Sequence, residues 1–181
     1  MMFRKPHQPG VRPGPGIPGA RPPGLVFLAT AMFLAACGGD GSPTAPGNGA
    51  ISASMNGADW SVNSAMAQHN AGAGLVVIFA PSTGSYGLGI NLPGFQGTGD
   101  YPLGPASQTF AVVTVGADPA GWGTVYGNGS GSVTVTSFSA SRITGTFSFT
   151  AAHPAPASSQ SGPMVVANGQ FDLPVVPVGG A

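Results

Sequence analysis

The sequence predicts an all-β domain over residues 51–176, an antiparallel β-sandwich or flattened β-barrel of about eight to nine short strands. Three observations predict it. Apolar and hydroxyl residues alternate through Arg142–Ala151: Ile143, Gly145, Phe147, Phe149 and Ala151 share one face, and Thr144, Thr146, Ser148 and Thr150 share the other. Turn-forming Gly, Pro and Asn recur at short intervals. No segment of the domain carries apolar residues at a 3.6-residue period, so no helix longer than a turn is expected.

Each element has its own signal. Asn56-Gly57 separates Ile51–Met55 from Ala58–Val62, which reads as a hairpin whose turn residues take positive φ. Leu75-Val76-Val77-Ile78-Phe79 is a continuous apolar run, expected to be covered on both faces. It is bounded by Gly72-Ala73-Gly74 and Pro81-Ser82-Thr83-Gly84. Leu88, Ile90 and Leu92 alternate up to Pro93-Gly94, and Ala111, Val113 and Val115 alternate likewise. Asp118-Pro119 and Asn128-Gly129 read as turns. Val133 and Val135 mark a strand that Ser139-Ala140-Ser141 joins to Arg142–Ala151. Asn168-Gly169 fits either a hairpin with very short arms or a bulge in one long final strand. Residues 177–181 read as a C-terminal tail.

The chain before this domain is of a different kind. Residues 1–36 have the parts of an export signal. Arg4, Lys5, Arg12 and Arg21 supply positive charge, and an apolar stretch of 12 residues follows from Leu25 to Ala36. A bilayer-spanning helix needs roughly 20 apolar residues, so a signal segment is expected rather than a permanent span. The n-region is rich in Pro and Gly. Gly14, Gly16 and Gly19 match a GxGxxG spacing there, but Pro15 and Pro18 and the lack of a preceding strand make the match accidental. A start at Val11 would give a leader of more usual length. The leader ends in Leu34-Ala35-Ala36-Cys37, which resembles a bacterial lipobox and holds the single cysteine of the chain. Cys37 is the expected lipidation site. Residues 37–50 are then the lipidated cysteine and a flexible tether, whose span as a coil is about 20 Å r.m.s..

Composition excludes several functions. Beyond Ala36 the only basic residue besides histidine is Arg142, against Asp40, Asp59, Asp100, Asp118 and Asp172, which leaves a net charge of −4. A single arginine cannot neutralise a run of phosphates, so no nucleic acid is expected as a partner. A polybasic membrane patch is excluded in the same way. With one cysteine there is no disulfide within the domain, and the fold must rest on core burial.

Candidate chemistry is sparse. No serine sits in a GxSxG elbow. His69 and His153 read as solvated loop residues, far apart in the chain and without zinc-ligand spacing. Asp59, Asp100 and Asp118 read as turn residues whose carboxylates cap backbone N–H groups. A calcium loop would want clustered oxygen ligands, and only Asp100 with backbone carbonyls is on offer. Asp172 is placed to pair with Arg142. No catalytic residue, metal site or cofactor is therefore expected. The aromatics are the better candidates for a binding face: Trp60, Tyr86, Phe95, Tyr101, Trp122 and Tyr126 lie near turns or strand ends. Of these Trp122, between Gly121 and Gly123, reads as the most loop-like, and Trp122, Tyr101 and Phe95 are the candidate ligand contacts. Trp60 is expected to plug one end of the fold, and Phe79, Phe147 and Phe149 to be core.

Three blocks carry a resemblance. They are Met55-Asn56-Gly57-Ala58-Asp59-Trp60, then Gly97-Thr98-Gly99-Asp100-Tyr101-Pro102-Leu103-Gly104, then Gly131–Thr136 through Arg142–Phe149, closing with Asn168-Gly169-Gln170-Phe171-Asp172. With them the chain resembles a group of uncharacterised bacterial lipoproteins that share a secreted all-β domain of unknown function, over roughly Ile51 to Val176. The resemblance implies a β domain at the cell envelope and carries over no site residues. In lipoproteins similar to this one, Asp after the cysteine often marks inner-membrane retention; Gly38 stands there, which favours the outer membrane. The expected function is a membrane-anchored envelope lipoprotein whose non-catalytic domain binds or displays. An envelope protein or a polysaccharide would be its partner. The alternatives are a small envelope hydrolase acting on glycans or esters, and a periplasmic inhibitor or assembly subunit that uses the Gly94–Tyr101 loop.

Overall fold

The computed structural model describes residues 49–82, 86–116, 118–154 and 162–179. The leader, Cys37 and the tether as far as Asn48 lie outside the described residues, as do Thr83 and Gly84 of the expected Pro81–Gly84 turn.

Among the described residues there is no helix. Eleven strands follow in chain order: β1 (Ala50–Met55), β2 (Ala58–Val62), β3 (Met66–Asn70), β4 (Leu75–Ala80), β5 (Tyr86–Pro93), β6 (Gly99–Leu103), β7 (Phe110–Val115), β8 (Asp118–Gly123), β9 (Ser130–Phe138), β10 (Arg142–Ala151) and β11 (Met164–Pro177). They form one curled mixed sheet, a half-barrel, in the order β6-β9-β10-β11-β3-β4-β5-β7-β8, with β1 paired to β11 and β2 to β1. All these pairs are antiparallel except β11 with β3. The curl brings the last strand in that order back to the third: Gly123 and Ala152 exchange two backbone hydrogen bonds, of 2.9 and 3.1 Å.

The all-β class holds, with more strands than the eight or nine expected. The additional ones are short. Met66–Asn70, Gly99–Leu103 and Asp118–Gly123 have no clean alternation, and Asp118-Pro119 opens β8 instead of forming a turn. Their partners make them strands: each lies against a strongly patterned neighbour, β4, β9 and β7 respectively.

Local chemistry explains the best-defined elements. Asn56 and Gly57 have φ of 50° and 85°, and Met55 pairs with Ala58 across them, so the first hairpin is the tight turn its sequence predicts. The Asn56 side chain adds a tie: its Oδ1 accepts from the Val165 N–H at 2.7 Å. In β10 the burial alternates as expected, with Ile143, Phe147, Phe149 and Ala151 buried and Arg142, Thr146 and Ser148 exposed.

β11 is one long strand with a bulge, not a hairpin. Gln170 faces Ser52 and Thr146, but Ala167 faces Ser54 and Val166 faces Phe149, so β11 carries one extra residue against both neighbours. The slip sits at Ala167–Asn168, where Asn168 takes φ 54°. It reverses the facing of the strand. Met164 and Val166 point inward before it, and Phe171, Leu173 and Val175 after it.

The packed centre of β9, β10 and β11 pairs phenylalanine with glycine. Phe147 lies across from Gly169, Phe171 from Gly145 and Phe149 from Gly131. A Cβ on Gly169 would sit 2.5 Å from the Phe147 ring, and one on Gly145 would sit 2.5 Å from Phe171. The rings lie over bare backbone and stack on one another, with Phe147 6.2 Å from Phe149 and 6.3 Å from Phe171.

One core assignment is overturned. The Leu75–Phe79 run is covered on one face only: Val76, Ile78 and Ala80 are buried, while Phe79 is 52% exposed. Phe79 pairs with Gly89, whose Cβ position meets nothing within 4 Å, so among the described residues no second layer lies over this ring. The outward residues here are apolar too, which hides the alternation in the sequence.

Truncating Phe147 to alanine removes a buried ring from between two strands, and the glycine beneath it cannot fill the space. Phe147→Ala is expected to cost roughly 3–5 kcal/mol, read from urea unfolding followed by circular dichroism. A near-unchanged midpoint would contradict the Phe147–Gly169 packing.

Candidate functional site

The register of β9, β10 and β11 defines two ends. Phe138, Ile143 and Leu173 are at one, and Ser130, Thr150 and Val165 at the other.

Aromatic rings cluster at the first end. Phe95 stacks on Tyr101 at 5.6 Å and meets Phe138 edge-on at 4.8 Å. His69 lies edge-on to both Phe138, at 5.1 Å, and Phe95, at 5.9 Å. The Tyr101 hydroxyl donates to the Gly97 carbonyl at 2.7 Å and accepts from the Gln96 N–H at 3.2 Å. Phe95 is buried and Tyr101 half-buried. These two sequence-predicted contacts therefore come together, but packed on each other within a cluster of rings at one end of the half-barrel. His69, expected in a solvated loop, belongs to β3 and is half-buried among these rings. Three loosely patterned segments meet here, and the sheet topology brings them together.

The other end is open. A cleft of about 520 Å³ lies between the β8–β9 connection, the end of β10 and the start of β11, lined by Tyr126, Asn128, Thr150, His153, Gly162 and Pro163 among others. A smaller cleft of about 300 Å³ shares Gly162 and Pro163 with it and reaches Trp122, Tyr86 and Asn56. Trp122 is not a loop residue: it belongs to β8, is 5% exposed, and donates its indole N–H to the Gly162 carbonyl at 2.9 Å. Its ring supports His153, which meets it edge-on at 5.3 Å. His153 lies in the loop just past the Gly123–Ala152 bridge, as expected, but is half-buried rather than solvated.

Tyr126 stands 39% exposed at the cleft, and its ring lies over Gly123, where a Cβ would come 2.9 Å from the ring carbons. Its turn is braced by hydrogen bonds from Tyr126 N to Gly123 O and from Gly129 N to Tyr126 O. Thr124, fully buried, anchors the connection: its N–H donates to the Ala111 carbonyl and its Oγ1 accepts from the Ala111 N–H at 3.0 Å. Sequence reasoning did not single out Tyr126, Asn128, Thr150 and His153 as a group. The signal available was Tyr126-Gly127-Asn128-Gly129, an aromatic on a glycine-rich turn.

The acidic residues go elsewhere. Asp59, Asp100 and Asp118 lie within β2, β6 and β8 rather than in turns. Asp100 Oδ1 accepts from the Thr134 hydroxyl at 2.6 Å across β6 and β9. Arg142 forms the expected ion pair with Asp172 across β10 and β11. It is partly exposed and contributes roughly 0.2–1 kcal/mol. Among the described residues no group of three or more His, Cys, Asp or Glu could hold a metal ion. Trp60 is buried at 9% exposure, and its indole N–H donates to the Tyr86 carbonyl at 3.1 Å.

Tyr101→Phe keeps the stacked ring and removes both hydroxyl contacts. A stability loss of about 1 kcal/mol is expected, with faster amide exchange at Gln96. Unchanged exchange at Gln96 would show that the hydroxyl does not pin this loop.

No curated protein and no solved structure matches the chain. A family model does match, over residues 47–172, which include β1 to β10 and most of β11. The chain belongs to that family, described as Domain of unknown function (DUF6252).

Proposed function

We infer that the protein is an exported lipoprotein, held to the cell envelope through a lipid on Cys37, and that its β domain is a non-catalytic binding module. The observation that carries this is Leu34-Ala35-Ala36-Cys37 at the end of a 12-residue apolar stretch with basic residues before it. The strands begin at Ala50, 13 residues beyond Cys37, which leaves a short tether between lipid and domain. Gly38 in place of Asp favours the outer membrane.

Binding is favoured over hydrolysis by the placement of titratable groups. Acid–base chemistry wants two positioned groups within reach of one bond. The open cleft has His153 but no carboxylate among its described lining residues. Asp100 and Asp172 are engaged with Thr134 and Arg142.

In cells fed a clickable fatty acid, the wild-type protein is expected to take up label and fractionate with membranes. Cys37→Ser is expected to lose the label and leave the membrane fraction. Label that persists in Cys37→Ser would sink the anchor assignment. Turnover of a glycan or ester by the purified protein, abolished by His153→Ala, would replace the binding reading with the hydrolase one.

A further inference from the structure

We propose that the open cleft beside Tyr126 and His153 is a binding site for neutral glycan, with Tyr126 as its stacking platform. The proposal rests on the reading of the domain as an envelope binding module and names its ligand class.

The lining selects the ligand. At about 520 Å³ the cleft falls within the roughly 300–1,000 Å³ typical of small-ligand sites. No charged Asp, Glu, Lys or Arg is among its described lining residues. Arg142 is paired with Asp172 at the other end of β10, so among the described lining residues no Lys or Arg stands ready to meet a phosphate or carboxylate. What the cleft offers is one aromatic ring, the Thr150 hydroxyl, the Asn128 amide, the His153 imidazole and glycine backbone at 127, 129 and 162. A pyranose is the complement of that set: it carries no charge, its hydroxyls both donate and accept, and one face is made of C–H groups that pack on an aromatic ring.

The site is also held in shape. Tyr126 rests on the backbone of Gly123, and that residue is fixed by its double hydrogen bond to Ala152. Trp122 has its N–H committed to Gly162 and backs His153 with its ring. Trp122 is thus a positioning residue beneath the site, while Tyr126 is the ring a sugar would touch. A platform fixed before binding loses little entropy when the ligand arrives.

Gly162 supplies a second handle. Among the described residues a Cβ there meets nothing within 4 Å and φ lies outside the left-handed region, so this lining position accepts a bulky ring that would crowd the cleft.

The test is isothermal titration calorimetry on the full-length lipidated protein in a zwitterionic detergent. The probes are maltotetraose, cellotetraose and chitotetraose, with oligogalacturonate as the anionic comparator. Saturable binding of at least one neutral tetrasaccharide and none of the oligogalacturonate is expected. Tyr126→Ala should weaken it at least about tenfold, as loss of a central aromatic contact does. Tyr126→Phe should largely preserve it, and Gly162→Phe should abolish it with an unchanged β circular dichroism spectrum. Which of the three binds tells plain hexose from N-acetylated glycan. No heat with any neutral probe, equal binding of oligogalacturonate, or full affinity in a folded Tyr126→Ala protein would overturn the proposal. Fatty-acid labelling of Cys37 in the same preparation reports separately on the anchor. Hydrolysis of a probe in the calorimeter, seen as continuing heat, would instead unseat the non-catalytic reading.

Discussion

The extra residue at Ala167–Asn168 is the constraint on which the rest of the barrel depends. A strand has a side-chain period of two, so one inserted residue exchanges its inner and outer faces. β11 needs that exchange because it serves both halves of the sheet. Its first part lies between β10 and β1, and its last three paired residues run parallel to β3. With the slip, Met164 and Val166 face the core on one side of Asn168, and Gly169, Phe171, Leu173 and Val175 on the other. Without it one of those sets would face water. Asn168 tolerates the positive φ of the bulge better than a β-branched residue could.

The bulge also places Gly169 beneath Phe147, and the core follows from that. Three phenylalanines lie opposite three glycines across β9, β10 and β11. Large rings on neighbouring strands would compete for the same volume, and a glycine partner lets each ring lie down over the next strand. This accounts for a chain that is rich in glycine and still builds a core. It has no disulfide to help it, since the single cysteine precedes the domain. Burial of apolar surface and strand pairing must therefore supply the stability.

The two ends of the barrel follow different designs. One carries a cluster of Phe95, Tyr101, Phe138 and His69 rings, with the tyrosine hydroxyl tied to its own loop. The other keeps a cleft open where the sheet closes through Gly123 and Ala152. Among the described residues no helix caps the half-barrel, so its ends are covered by side chains or left as a groove. With so few charges on the domain, a groove would recognise its ligand by shape, aromatic surface and neutral hydrogen bonds.

The sequence by itself determined the β class, the Asn56-Gly57 hairpin, the buried faces of β5, β7, β9 and β10, the Arg142–Asp172 pairing and the poverty of charge. The hairpin and the buried faces are matters of local chemistry and of a two-residue period, both written in adjacent residues. It left Asn168-Gly169 open between hairpin and bulge, since the choice depends on what lies on either side of β11. Only the tertiary structure decided that β3, β6 and β8 are strands, because weakly patterned segments take their conformation from the neighbour they pair with. It alone exposed Phe79, across from a glycine, and buried Trp122, whose flanking glycines read as a loop. It alone gathered Phe95, Tyr101, Phe138 and His69 into one cluster, and Tyr126, Thr150 and His153 around one cleft. Each group joins segments two dozen or more positions apart, and no local pattern records which of them the curl of the sheet will bring together.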